Sequence, residues 1–264
     1  MARRPRVRTA LAVGINYPGT SAQLHGCVND ALDWTAELVG RGYNVTTLLD
    51  GQATRDAILG TLDGMVRTAR YGDRLAFTIS SHGTWAPDRD GDEADGRDEA
   101  IVPVDYRTAG IILDDDLHEI YQRTPLGVRF YVFGDLCHSG SLTRSFGAVR
   151  GDGVPRFLPP VEWADEPTLE RAKRVEFAEA RGKPRSGPVF ISGCEDSEYS
   201  YDASFGRRAN GAATYWALRT LPEAKTVADW HRRIRQQLPD TVRGFEQHPQ
   251  LTASRWQSRW RPFD

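Results

Sequence analysis

The sequence predicts an α/β fold in which a mostly parallel sheet is covered by helices on both faces, giving three layers. Two observations lead to this class. Segments with strand and helix patterns alternate along the chain, and the strand segments are near-continuous apolar runs, as at residues 75–79 and 128–133. Such runs are typical of strands that are buried on both faces, and parallel strands connected by helices provide that burial.

The elements follow in a regular order from the N-terminus. A short apolar strand at residues 9–14 precedes a helix whose apolar side chains share one face between Val28 and Val39. A second strand is expected at residues 45–49, followed by a helix that Thr54 caps, because a threonine oxygen can accept a hydrogen bond from a free N–H group. Later elements are expected near residues 115–123, 128–135, 189–193, 212–221, 227–238 and 249–252.

Composition excludes several classes of function. The chain has 264 residues and a formal net charge of −2, so we expect neither nucleic acid nor a membrane as a partner. Its three cysteines are an odd number and lack C-x-x-C spacing, which argues against both a disulfide framework and a structural zinc site. The apolar stretch at residues 10–15 is short for a signal peptide. We therefore expect reduced thiols and a cytoplasmic protein.

Two short segments carry the chemistry, each just after an expected buried strand. They are residues 80–83, Ser-Ser-His-Gly, and residues 135–140, Asp-Leu-Cys-His-Ser-Gly. Carboxyl ends of parallel strands meet at one edge of a sheet, so His82 and Cys137 are expected to meet there. A thiol beside an imidazole is the basis of cysteine nucleophilic catalysis. His138 is a rival base, but neighbouring side chains on an extended chain diverge, which favours His82.

These segments resemble those of the metacaspases, the caspase-like cysteine proteases of bacteria, plants, fungi and protists, and in particular the type I-like bacterial members. The resemblance extends over nearly the whole chain and implies the caspase–hemoglobinase fold. Further matching segments are residues 10–17 (Ala-Leu-Ala-Val-Gly-Ile-Asn-Tyr), 24–30 (Leu-His-Gly-Cys-Val-Asn-Asp), 191–194 (Ile-Ser-Gly-Cys) and 250–254 (Gln-Leu-Thr-Ala-Ser).

The resemblance implies roles for individual residues. Cys137 would be the nucleophile and His82 the general base and acid, while the backbone amides of Gly83 and Cys137 would form the oxyanion hole. A caspase-type separation of about 50 residues between His and Cys is a known pattern. No third member of a catalytic triad is identifiable from the sequence.

The resemblance also implies a basic substrate residue. It assigns the pocket for the residue before the scissile bond (P1) to Asp30 and Asp135, helped by Cys27 and Ser80. A desolvated carboxylate pair favours a guanidinium or an ammonium group. We therefore expect cleavage after Arg or Lys and not after Asp.

An acidic loop at residues 88–99 raises the question of calcium. It partly fits an EF-hand, but Glu93 occupies the position at which the turn requires glycine. The resemblance implies a different calcium site, formed by Asp98, Asp114, Asp115 and a fourth acidic residue. In this chain the fourth position holds Arg144 in place of the acid. Calcium could bind in an altered way, or Arg144 could replace the ion. We expect altered calcium dependence and no organic cofactor.

The division of the chain follows from the same considerations. We expect a large-subunit-like half at residues 1–144, a connector at 145–187 and a small-subunit-like half at 188–264, together forming one catalytic domain. The connector lacks periodicity and is rich in proline and charge, so a surface position is expected. Its arginines and lysines are candidates for self-cleavage, with a merely solvated linker as the alternative.

The sequence thus predicts a cysteine endopeptidase that acts on proteins or peptides with Arg or Lys at P1, as a monomer. One alternative is another protease of the caspase clan, legumain-like, with a different P1 preference. A second alternative is a calcium-responsive binding module with a vestigial protease site. An intact pair of His82 and Cys137 favours the enzyme.

Overall fold

The computed structural model describes residues 4–87, 97–137, 153–164, 187–195 and 198–264. Helices in these ranges are α1 (Cys27–Gly40), α2 (Arg55–Thr68), α3 (Tyr106–Ala109), α4 (Asp114–Gln122), α5 (Ala212–Thr220) and α6 (Val227–Arg235). Strands are β1 (Arg8–Gly14), β2 (Asn44–Leu49), β3 (Arg74–Ser80), β4 (Gly83–Pro87), β5 (Arg97–Ile101), β6 (Ile112–Leu113), β7 (Arg129–Asp135), β8 (Val154–Pro155), β9 (Val189–Ser192), β10 (Tyr201–Phe205), β11 (Arg208–Gly211) and β12 (Gln250–Thr252).

A six-stranded sheet forms the centre of the molecule, in the order β12-β9-β7-β3-β1-β2. All neighbouring strands from β9 to β2 pair in parallel, and β12 alone in this sheet pairs antiparallel, with β9. The chain thus contributes strands to the same sheet from before and after the expected connector. The expected boundaries of the two halves stay a prediction.

The two faces of the sheet bury different side chains of the same strand. In β1, Leu11 and Val13 enter one apolar core with α2 and α4, whereas Ala10 and Ala12 enter another with α1, α5 and α6. Successive side chains of a strand point to opposite faces, so an uninterrupted apolar run satisfies both cores. The expected α/β class, mostly parallel and covered on both sides, is confirmed.

Local signals explain where the second helix begins. Thr54 accepts a hydrogen bond from the N–H of Ala57 at 3.2 Å and so caps α2, as the sequence predicts. Ile58, Leu62 and Val66 then recur on the face that the sheet buries. None of the described helices combines the length and apolarity that crossing a membrane requires.

Two small sheets lie beside the main one and form part of the cleft described below. One has the order β4-β5-β6, and the other has the order β11-β10-β8. Strand β8 and the residues after it belong to the segment expected to be a surface connector. That expectation is wrong for residues 156–158, which are buried. The reason is that three carboxylates from elsewhere in the chain surround the charge of Arg156.

Candidate active site

The carboxyl ends of β3 and β7 bring the two candidate catalytic residues to one edge of the sheet. The strands pair in parallel, with Ser80 opposite Asp135. His82 and Cys137 each follow two residues later. The backbones remain close there, since a Cβ atom on Gly83 would lie 1.9 Å from the carbonyl oxygen of Cys137. Only glycine fits at position 83.

His82 is held by a backbone carbonyl. Its Nε2 lies 2.8 Å from the oxygen of Ala22. A carbonyl oxygen can only accept, so Nε2 carries the hydrogen and Nδ1 is the basic nitrogen of the neutral ring. Among the described residues Nδ1 has no hydrogen-bond partner. The Ala22 carbonyl therefore orients the ring, and a backbone atom leaves no signature in the sequence.

Burial also keeps the His82 ring neutral. Loss of hydration lowers the pKa of His82 from 6.5 to about 4, although the hydrogen bond to Ala22 opposes the shift. The ring of Tyr17 lies 5.0 Å away and forms part of this enclosure. A neutral imidazole at physiological pH can accept a proton from a thiol.

The sulfur of Cys137 faces the second half of the chain. Its thiol is fully buried, and the N–H of Ser200 donates to Sγ. Cys194 lies in the same apolar cluster as Cys137, and the neighbouring Cys137 thiol, together with burial, raises the pKa of Cys194. No hydrogen bond joins Sγ to Nδ1 of His82 in this arrangement. The two groups share one edge, and rotation about the Cα–Cβ bond of Cys137 is needed to pair them.

Arg156 lies between the ends of β3 and β7 and the start of β10, a position that we call the cleft. Its carbonyl oxygen accepts from the N–H groups of Gly83 at 3.0 Å and Cys137 at 3.2 Å. Its own N–H donates to the carbonyl of Ser200 at 2.8 Å. Just before it, β8 pairs antiparallel with β10, which places Pro155 opposite Tyr201. The residues that precede Arg156 thus extend a sheet edge, a common mode of peptide recognition.

Three carboxylates surround the guanidinium of Arg156. Nη2 lies 2.7 Å from Asp30 Oδ2 and 2.9 Å from Asp202 Oδ1, while Nη1 lies 3.3 Å from Asp135 Oδ2. The side chains of Arg156, Asp30 and Asp135 are 0% exposed. A Cβ atom on Gly211 would lie 2.3 Å from Nη1, so this glycine leaves room for the guanidinium.

Each of the three carboxylates is also held by other hydrogen-bond donors. The N–H of Gly211 donates to Asp30 at 3.0 Å, and that of Thr214 donates to Asp135 at 2.7 Å. Backbone N–H groups of residues 25 and 26 donate to Asp202. The pocket is therefore held in place by donors other than the guanidinium.

Burial and charge oppose each other in this pocket. Burial raises the pKa of Asp30 to about 7, and Arg156 opposes that shift. Burial disfavours the charged guanidinium as well, but the surrounding acids, Asp135 first, outweigh it and raise the pKa of Arg156 well above its usual value. A cation is thus favoured at this position.

The sequence-predicted pocket residues are at the expected edge but do not all touch the guanidinium. Asp30 and Asp135 do. Cys27, at the start of α1, and Ser80, at the end of β3, are buried, and neither is among the described residues that hydrogen-bond the guanidinium. The sequence analysis missed Asp202. This residue is a single acid on the short strand β10, and no motif around it indicates a role in the pocket. The catalytic and binding roles assigned from the resemblance stay predictions.

The expected calcium ligands lie on neighbouring elements. Asp98 is on β5, and Asp114 and Asp115 begin α4. Within the part of the chain that the structure describes, no three His, Cys, Asp or Glu side chains converge in a way that could hold a metal ion. These acids do not by themselves form a calcium cage. Arg144, the rival base His138 and residues 88–96 lie outside the described residues.

Comparisons with known proteins agree with this geometry. The family model described as "Metacaspase, peptidase C14 domain" matches residues 8–145. Metacaspase-1 of Cryptococcus neoformans var. neoformans serotype D is 32% identical over an alignment covering 94% of this chain, and the chain spans 62% of that relative's length. Metacaspase-1A of Aspergillus fumigatus is 33% identical, again over 94% of this chain and 68% of the relative.

Solved structures lead to the same fold. Protein GSU0716 from Geobacter sulfurreducens superposes with a TM-score of 0.75 at 28% identity, covering 98% of each chain. Caspase-1 from Spodoptera frugiperda has a TM-score of 0.54 at 12% identity, covering 94% of this chain and 85% of that one, which shows a likeness of fold alone. Sequence and fold together show that the chain belongs to the metacaspases, the caspase-like family of the peptidase C14 domain.

Proposed function

We propose that the chain is a cysteine endopeptidase that cleaves after arginine or lysine through a thioester on Cys137. The observation that supports this proposal is the position of Arg156. Its side chain is buried among three carboxylates, while its carbonyl oxygen accepts two backbone N–H groups. A substrate needs both contacts at once. An aspartate at P1 would instead add a fourth carboxylate to the pocket, which is electrostatically unfavourable.

The reaction begins with the thiol of Cys137. Sγ rotates away from Ser200 and gives its proton to Nδ1 of His82. The thiolate attacks the carbonyl carbon, and the N–H groups of Gly83 and Cys137 stabilise the negative charge on oxygen. The C–N bond then breaks, and His82 gives the proton to the leaving amine. Water hydrolyses the thioester, with His82 again as base. The Ala22 carbonyl keeps the ring oriented throughout.

A peptide series tests the specificity. Matched fluorogenic peptides with Arg, Lys, Asn or Asp at P1 are compared, with Cys137→Ala as the inactive control. We expect hydrolysis of the Arg and Lys peptides and labelling of Cys137 by a chloromethylketone with a basic P1 residue. Preference for Asp would contradict the proposal, and preference for Asn would favour a legumain-like enzyme.

We further propose self-cleavage at the bond between Arg156 and Phe157. This segment of the expected connector already has its carbonyl oxygen at the two backbone donors. Intact mass measurement of the purified chain should show two fragments, the second beginning at Phe157. Cys137→Ala and Arg156→Gln should both remain uncut at this bond. Cleavage of the Cys137→Ala variant at the same bond would assign the cut to another protease.

Calcium modulation is a separate proposal, supported only by the family resemblance of Asp98, Asp114 and Asp115. Because no three described His, Cys, Asp or Glu side chains converge, an ion would also need other ligands, such as backbone carbonyls, water or residues outside the described ranges. Titration of Ca²⁺ against wild type, Asp98→Asn and Arg144→Asp measures the effect on peptide hydrolysis. We expect a calcium response that Asp98→Asn weakens and Arg144→Asp strengthens. A wild type indifferent to Ca²⁺ would end this proposal.

We also propose that the protein is a cytoplasmic monomer. Its three cysteines are free thiols in the structure, which fits a reducing compartment. Light scattering coupled to size-exclusion chromatography should give the mass of one 29.5 kDa chain. A mass of twice that value would contradict the monomer.

A further inference from the structure

Phe157 occupies a pocket of its own on the other side of the candidate scissile bond. It directly follows Arg156, and the residue is only 9% exposed. It belongs to one apolar cluster with Trp85, Cys137 and Cys194. The ring of Tyr199 packs against this cluster, with its centroid 6.1 Å from that of Phe157 and the two planes at 53°.

The backbone of Gly83 fixes the direction in which Phe157 points. The N–H of Gly83 donates to the carbonyl of Arg156 at 3.0 Å, and the carbonyl of Gly83 accepts from the N–H of Leu158 at 2.9 Å. Gly83 and Phe157 thus form a parallel bridge. Successive side chains of an extended segment alternate in direction, so Phe157 leaves the cleft on the side opposite Arg156. Leu158 enters a different apolar core.

The described walls of this pocket come from three separate parts of the chain, and none of the three side chains carries a charge. Trp85 lies on β4, Cys194 follows β9, and Tyr199 precedes β10. The guanidinium of Arg97 lies 4.4 Å from the centre of the Trp85 ring, a cation–π contact that helps to hold the indole. A charged side chain placed in this pocket would lose hydration, and the side chains of Trp85, Cys194 and Tyr199 offer it no opposite charge.

We propose that Trp85, Cys194 and Tyr199 form a binding pocket for the residue after the scissile bond (P1′), and that this pocket selects large apolar side chains, aromatic ones above all. The inference rests on the proposed function, because it concerns the amine that leaves when Cys137 is acylated. The sulfur–carbon bond forms, the bond between P1 carbon and P1′ nitrogen breaks, and the P1′ amine takes the proton from His82. The preferred substrate class is therefore a peptide with Arg followed by an aromatic residue.

The test compares internally quenched peptides that differ only at P1′. One peptide copies residues 154–159 of the chain, and two others replace the phenylalanine by glycine or aspartate. We expect kcat/KM for the Phe peptide to exceed that for the Gly peptide about tenfold or more, because hydrophobic pockets discriminate on this scale. The Asp peptide should be the poorest of the three.

Variants of the pocket separate binding of P1′ from general damage. Trp85→Ala should lower kcat/KM for the Phe peptide about tenfold and leave the Gly peptide almost unchanged. Because Trp85 is buried, its replacement could also disturb the fold, so Tyr199→Ala serves as a second variant. Tyr199 is half-buried, and its removal should lower kcat/KM for the Phe peptide by a smaller factor. Trp256→Ala, which removes an indole that is 69% exposed, is the control.

The outcomes are distinguishable. Equal cleavage of the Phe and Gly peptides, or parallel losses for both peptides in Trp85→Ala and Tyr199→Ala, would overturn the P1′ pocket while leaving the endopeptidase intact. Cleavage of none of the three peptides by wild type, and none by Arg156→Gln, in which the cation that holds the segment in the cleft is removed, would overturn the proposed function and the pocket with it.

Discussion

Replacing Asp202 by asparagine tests whether the third carboxylate selects arginine over lysine. Asp202 Oδ1 lies 2.9 Å from Nη2 of Arg156, and the same nitrogen lies 2.7 Å from Asp30. A guanidinium can reach these acids and Asp135 at once because it has two terminal nitrogens. A lysine has one nitrogen on an unbranched stem and cannot occupy both positions.

The expected loss follows from the kind of hydrogen bond. Asparagine keeps an oxygen acceptor and removes the charge. A hydrogen bond to a charged group contributes about 1.5–3 kcal/mol and a neutral one about 0.5–1.5 kcal/mol, so the change costs about 1–1.5 kcal/mol. That difference lowers kcat/KM for a P1 Arg peptide about 5- to 13-fold. A lysine side chain ends one bond short of the position of Nη2, so its ammonium group lies farther from Asp202. A P1 Lys peptide should therefore lose less, and the ratio of Arg to Lys cleavage should fall severalfold.

The assay is the ratio of kcat/KM for matched Arg and Lys peptides, with Asp33→Asn as the control. Asp33 binds Arg208 at 2.7 Å and is not among the acids bonded to Arg156. Asp202 also accepts from backbone N–H groups at residues 25 and 26. If Asp202→Asn cleaves both peptides more slowly but leaves the Arg-to-Lys ratio unchanged, the reasoning is refuted. Asp202 would then only hold the backbone of residues 25 and 26 in place.

Arg156→Gln removes the cation that holds the segment in the cleft, so a basic chloromethylketone should label Cys137 faster than in wild type; slower labelling would contradict a blocked cleft. The pKa of His82 is about 4 in the folded chain and 6.5 in the unfolded chain, so as the pH falls the unfolded chain is protonated at this ring first. Stability conferred by the neutral ring is therefore lost between pH 6.5 and about 4. In urea titrations at pH 7 and 4, His82→Gln should reduce that loss by up to about 3 kcal/mol. An unreduced loss would place the acid sensitivity elsewhere. Gly83→Ala places a methyl group 1.9 Å from a carbonyl oxygen and should abolish activity. Gly64→Ala, in an open position of α2, should stabilise the fold by about 0.5–1 kcal/mol by thermal unfolding, with activity retained.

Much of the scaffold was predictable because its signals are local. Buried parallel strands need apolar residues on both faces, and this requirement is visible in the residues that became β3 and β7. The segments with His82 and Cys137 follow these strands directly, so their shared edge follows from topology alone. Asp30 and Asp135 could be proposed as pocket residues only from the resemblance to a known family.

Three features depended on tertiary structure. The carbonyl of Ala22 orients His82, and any residue type could supply that oxygen. Asp202 reaches the pocket from the opposite half of the chain, and no spacing connects it to Asp30. The polar, proline-rich sequence around Arg156 predicts exposure, yet Arg156 is buried. Burial of a charge is stable only where opposite charges converge on it, and those charges come from distant parts of the chain. Sequence by itself determined the strands and their ends; packing of distant segments decided which charges meet, since electrostatic partners are chosen by distance in space and not along the chain.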